Sequence, residues 1–174
     1  MIVLGICGWS GSGKTDLVCR LIKFFTKNNL SVSTLKHTHH NIEIDKKGKD
    51  SFNHSKSGAR EVLVGGGNNW TLIHRGNENK NYTIEYLINK FSKDTDILLI
   101  EGFKNSKIPK LEVFNNKLQK PLIHKKNSST IAIIYDKLNE EILKTRLPNF
   151  SFNKTKEISN FIINYFEIKK KNEK

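Results

Sequence analysis

Arginine is scarce in this chain, as are cysteine, proline and long apolar runs. Of 30 basic residues, only Arg20, Arg60, Arg75 and Arg146 are arginine, and they form no cluster in sequence. The formal charge of +13 is therefore carried by lysine. A surface built to read bases or phosphates favours the bidentate guanidinium fork, and no aromatic pattern stands among these lysines to stack bases. Nucleic acid is not expected as the main partner; the positive field suits anionic small molecules or an acidic protein. Two cysteines, Cys7 and Cys19, exclude a disulfide framework and a cysteine metal cluster, and both are expected in the core of a reduced cytoplasmic protein. The longest apolar runs, such as Ile97-Leu98-Leu99-Ile100, are strand-sized, so no membrane span is expected. The start lacks a basic region and a cleavage site, which argues against a secretory signal and for a cytoplasmic location. At 174 residues one domain is expected, residues 1–168, followed by a basic flexible tail, 169–174.

What the chain does have is glycine in one particular place. Gly8-Trp9-Ser10-Gly11-Ser12-Gly13-Lys14-Thr15 follows the apolar run 2–7 and leads into a helix-like stretch, 16–25. This is the phosphate-binding loop pattern G-x-x-x-x-G-K-[ST] in its strand–loop–helix setting. Such a loop surrounds a di- or triphosphate with backbone N–H groups and the positive end of the following helix. The glycines keep side chains out of the cradle and accept positive φ angles. Lys14 is expected to reach the β- and γ-phosphates, and the Thr15 hydroxyl to bind Mg²⁺.

Further strands are expected over 30–35, 61–64, 70–73, 96–100 and 131–135, with 111–114 as an edge strand behind Pro109. The stretches 61–64 and 70–73 flank Gly65-Gly66-Gly67 as a hairpin. Helices are expected over 50–57, 82–91, 139–146 and 156–166. Strands alternating with helices predict an α/β fold: a three-layer P-loop NTPase-type arrangement with a mainly parallel sheet and a hairpin or edge-strand excursion. Ligands of such sheets bind beyond the carboxyl ends of the strands, where residues 8–15, 36–40, Glu101 and Asp136 all fall.

Asp96-Ile97-Leu98-Leu99-Ile100-Glu101 has the form of a Walker B strand, so Glu101 is a candidate to hold Mg²⁺ through a water or to orient an attacking water. Asp136 ends its strand similarly, or else caps the helix after it. In Lys36-His37-Thr38-His39-His40, His37 and His39 would share a strand face. A lysine and imidazole patch against an anionic ligand suits this segment better than a structural zinc site, which has no completing cysteines. Asp16 suits the helix dipole but would repel bound phosphate, so it is expected to weaken nucleotide affinity.

Together these pieces resemble the MobB family, accessory proteins of molybdopterin-guanine dinucleotide biosynthesis. The matching stretches are residues 8–15, Lys36-His37-Thr38-His39-His40, Asp45 with Gly48-Lys49-Asp50-Ser51, Ser57-Gly58-Ala59, and Glu101-Gly102-Phe103-Lys104 with Pro109-Lys110. The resemblance implies a homodimeric GTP-binding protein with weak GTPase activity that assists the guanylyltransferase joining GMP to molybdopterin. It implies GTP and Mg²⁺ as cofactors, with molybdopterin as a further ligand. Lys14 and Glu101 would be the catalytic residues, and Thr15 and Glu101 the Mg²⁺ site. Residues 8–15, Lys36, His37, His39, His40, Asp50 and Lys104 would face nucleotide or pterin. Asp16 stands where the family usually has a hydroxyl, and Lys47 where a proline is common.

Guanine itself rests on the resemblance, because Asn89-Lys90-Phe91-Ser92 lacks the final aspartate of a base-reading Asn-Lys-x-Asp tetrad. Two other readings share the loop: an ATP-using small-molecule kinase, which normally closes an arginine-bearing lid over the transferred phosphoryl group, and a non-catalytic nucleotide-dependent adaptor.

Overall fold

The computed structural model describes residues 1–38, 42, 44–76 and 82–168. His39, His40 and the tail 169–174 lie outside the described residues. The chain divides into two compact units, Met1–His37 with Ile84–Lys174, and Thr38–Thr83.

The first unit is built on a six-stranded sheet. Its strands are β1 (Ile2–Cys7), β2 (Val32–Lys36), β5 (Ile97–Glu101), β6 (Lys110–Phe114), β7 (Thr130–Tyr135) and β8 (Asn149–Ser151), ordered β2-β5-β1-β6-β7-β8. Every pairing is parallel, so all six carboxyl ends share one edge. Alternation along the strands sorts side chains to two faces. Leu4, Ile6, Ile97, Leu99, Leu111, Val113 and Ile134 face one way, toward Leu17, Leu21 and Phe25 of α1 (Lys14–Lys27) and Ile158 and Ile162 of α5 (Thr155–Tyr165). On the other face Leu98 and Ile100 meet Ile84 and Ile88 of α3 (Ile84–Ile88), and Phe114 and Ile133 meet Ile142 of α4 (Glu140–Leu143). Helices on both faces of a parallel sheet give the three-layer α/β arrangement. Each fully buried aliphatic side chain contributes about 1.5–3 kcal/mol of transfer free energy.

The elements differ from the sequence expectation in instructive places. β6 is not an edge strand, since it lies between β1 and β7. Pro109 precedes it by one residue and offers its carbonyl to the Gly5 N–H at 2.9 Å, while Lys110 donates to Ser129 O, so the missing proline N–H interrupts no ladder bond. β8 was not anticipated; its three residues are too short to show a period. Cys7 is buried, but Cys19 sits on the solvent side of α1 and is exposed. Asp136 does not cap α4. Asn139 does, accepting from Ile142 N at 2.9 Å.

The second unit holds α2 (Asp50–Lys56) and an antiparallel hairpin, β3 (Glu61–Gly66) with β4 (Asn69–His74). Leu63 pairs with Leu72 and Gly65 with Trp70, which puts the exposed Leu63, Leu72 and Trp70 on one face. Among the described residues no helix is long and apolar enough to cross a membrane.

Candidate functional site

The sharp change of direction between β1 and α1 is made by glycine. Gly8, Gly11 and Gly13 have φ of 150°, 76° and 99°. A Cβ at Gly8 would stand 2.5 Å from Val113 O, and one at Gly13 would stand 2.9 Å from the Phe152 ring. At Gly8 a side chain is excluded by backbone on steric as well as conformational grounds, and at Gly13 the left-handed backbone strains any side chain and Phe152 would have to shift.

Where α1 begins, four side chains converge. Lys14 donates to Trp9 O at 2.8 Å. The Thr15 hydroxyl lies 3.1 and 3.0 Å from the two carboxylate oxygens of Glu101, at the carboxyl end of β5. Lys36, at the end of β2, places its ammonium 3.6 Å from Glu101 Oε1. These residues, with Ser10, Gly11, Gly13 and Asp16, line a cleft of about 420 Å³. Sheet order explains the meeting, because β5 lies between β1 and β2 and its terminal carboxylate stands between the loop and Lys36. Burial pulls the Lys14 pKa down from its ordinary value, against the Glu101 charge, which raises it. A partly desolvated ammonium at the mouth of a backbone loop is an acceptor-seeking group suited to an oxyanion. A hydroxyl and a carboxylate in contact are hard oxygen donors of the kind that hold Mg²⁺ beside phosphate.

Other loop residues are tied down by contacts that local sequence does not encode. The Trp9 indole N–H donates to Pro121 O at 2.8 Å, and the Lys104 and Lys120 ammoniums stand 5.3 and 6.0 Å from its ring centroid. The His37 N–H donates to Glu101 O at 2.9 Å, and its ring packs on Phe103 with centroids 4.2 Å apart. Gly102, at φ 112°, allows that approach: a Cβ there would meet His37 at 3.1 Å. The Ser12 hydroxyl is buried without a hydrogen-bond partner. Asp16 pairs with Arg20 at 2.8 Å, one turn along α1, which offsets part of the charge expected to repel phosphate. Arg20 in turn lies 4.5 Å above the Phe152 ring.

Lys14, Thr15, Lys36 and Glu101 thus meet in one cleft, with His37 and Lys104 tied to its rim residues Glu101 and Trp9. Asp50 belongs to the second unit, in the first turn of α2, where it lines a separate depression of about 550 Å³ with Lys49, Ser51 and His54. Among the described residues no group of three or more His, Cys, Asp or Glu is placed to hold a metal ion. Sequence reasoning missed Phe152 and Lys120, which carry no local signal, whereas the Asp16–Arg20 pair was readable as an i,i+4 spacing.

The family model described as Molybdopterin guanine dinucleotide synthesis protein B, MobB, matches residues 3–136. A molybdopterin-guanine dinucleotide biosynthesis adapter protein of Haemophilus influenzae is 38% identical over 69% of this chain and 67% of its own length. The corresponding adapter protein of Escherichia coli is 32% identical over 66% of each chain. The match thus spans about two thirds of these relatives' lengths. Among solved structures, Bacillus subtilis MobB superposes with a TM-score of 0.72 at 27% identity, covering 99% of this chain and 100% of the other.

Proposed function

Because the chain belongs to the MobB family, we propose that it is a GTP-binding accessory protein with weak GTPase activity, assisting attachment of GMP to molybdopterin. The observation that carries this reading is the convergence of Lys14, Thr15, Glu101 and Lys36 at the mouth of the glycine loop. In this reading the loop N–H groups and the α1 N-terminus hold the β-phosphate, and Lys14 exchanges Trp9 O for phosphate oxygens. Thr15 and Glu101 hold Mg²⁺, whose role is to neutralise charge on the phosphate oxygens. Lys36 adds a second ammonium on the opposite side of Glu101.

Hydrolysis is expected to be slow. Among the described residues no arginine lines the cleft, and a positioned arginine is worth roughly 10³–10⁵ in rate in phosphate-loop enzymes. That feature favours an accessory protein over a kinase. The partners in this proposal are the molybdenum cofactor guanylyltransferase and a second copy of the chain, with molybdopterin as a further ligand. The test is turnover of Mg²⁺–GTP by the purified protein, which should stay far below the ~1 s⁻¹ at which kinases begin. Faster turnover by the chain alone, or transfer of phosphate to a small acceptor, would overturn the accessory reading.

A further inference from the structure

One carboxylate on the functional edge of the sheet takes no part in the phosphate cleft. Asp136 follows β7, and β7 lies between β6 and β8. The segments leaving both neighbours touch the glycine loop. A methyl group at Gly11 would come within 3.7 Å of Leu118 Cδ2, and Phe152 packs against Gly13. The exit of β7 therefore opens onto the same ledge, displaced from the phosphate cleft along the sheet on the side away from β5.

Asp136 is exposed, yet held in one position. It accepts the Asn116 backbone N–H at 3.0 Å and the Asn116 side-chain amide at 2.9 Å. That amide also donates to Lys137 O at 2.6 Å, and Asn139 donates to Asn116 Oδ1 at 2.7 Å. Burial pushes the Asp136 pKa up, but the Asn116 and Lys137 hydrogen bonds outweigh it and hold the carboxyl below its ordinary value. Among the described residues no lysine, arginine or histidine pairs with it. Both Asn116 donors fall on Oδ1, so the carboxylate is ionised, oriented and without a cation, and the lone pairs left, chiefly on Oδ2, suit a ligand with adjacent N–H donors.

We propose that Asp136, oriented by Asn116, reads the guanine edge of the bound nucleotide, its carboxylate accepting N1–H and the N2 amino group. Adenine places a ring acceptor where guanine places N1–H, so the same carboxylate rejects it. This assignment rests on the nucleotide-binding reading above. It supplies a base-reading group in a chain without an Asn-Lys-x-Asp tetrad.

The experiment measures affinities of the full chain with Mg²⁺ for non-hydrolysable analogues of GTP, ITP, XTP and ATP. ITP lacks the N2 amino group, and the wild type should bind it about tenfold or more weakly than GTP, the worth of one hydrogen bond to a charged acceptor. Asp136→Asn should lose GTP affinity by a similar or larger factor and gain affinity for XTP, whose 2-oxo group accepts from the new amide. A residue that only staples β6 to β7 would not produce that exchange. Equal wild-type binding of GTP, ITP and ATP overturns the base assignment and leaves nucleotide binding standing; so does an Asp136→Asn protein with unchanged preferences. If the variant does not fold, the wild-type GTP/ITP ratio alone decides. Absence of binding to all four analogues removes both readings.

Discussion

In the proposed nucleotide site, Lys14 carries a conflict between stability and binding. The folded protein holds its ammonium in a partly desolvated cleft, where burial lowers the pKa below 10.5. A base with a lower pKa folded than unfolded binds protons less readily when folded. Its charge therefore costs stability at neutral pH, and the cost fades only as pH rises toward 10.5. Lys14→Met, which keeps the stem and removes the charge, should raise the thermal midpoint of the ligand-free protein at pH 7. The gain should shrink at pH 10, and a differential scanning trace at the two pH values checks both. A lower midpoint at pH 7 would show that the Lys14–Trp9 hydrogen bond outweighs the desolvation. Much of this residue chemistry is written in the sequence, because Gly8, Gly13, Lys14 and Thr15 are fixed by one contiguous pattern. Phe152 against Gly13 and the Pro121 carbonyl that accepts from Trp9 are not. They come from chain more than 100 residues away, and only tertiary folding brings them to the loop.

At the scale of elements, periodicity served where segments were long and failed where they were short. The buried stripe Leu17, Leu21 and Phe25 marks α1 at helical spacing, and Ile97 to Ile100 marks a strand buried on both faces. The α3 and α4 helices are only five and four residues long, little more than one turn each and less than the apolar pattern suggested, and they cover Ile100 and Ile133 with Ile84 and Ile142. The two cysteines show how element placement decides chemistry. Burial, reinforced by the Glu112 charge, pushes the Cys7 thiol up to about 12, while Cys19 faces solvent on α1. A thiol-specific chromogenic reagent at pH 8 should label one thiol in the native protein and two in denaturant. Protection of both in the native state would place Cys19 inside an interface. Rapid labelling of both would mean that β1 opens readily.

For the whole molecule, the arrangement that matters is parallel strand order. With every strand of the first unit running the same way, β1, β2, β5 and β7 deliver the glycine loop, Lys36, Glu101 and Asp136 to one edge. The sequence indicates which residues end strands; it does not indicate that β5 lies between β1 and β2, and that adjacency is what sets Glu101 against both Thr15 and Lys36. The surplus of lysine adds a positive field that should draw a polyphosphate toward that edge. In the proposed function this edge binds a nucleoside triphosphate through Lys14. Calorimetric titration with Mg²⁺ and non-hydrolysable GTP and ATP analogues, for the wild type and for Lys14→Met, puts that binding to the test. The wild type should bind the GTP analogue in preference to the ATP analogue, and the folded Lys14→Met protein should bind neither. Undiminished affinity in Lys14→Met would contradict the account and move the nucleotide away from the glycine loop.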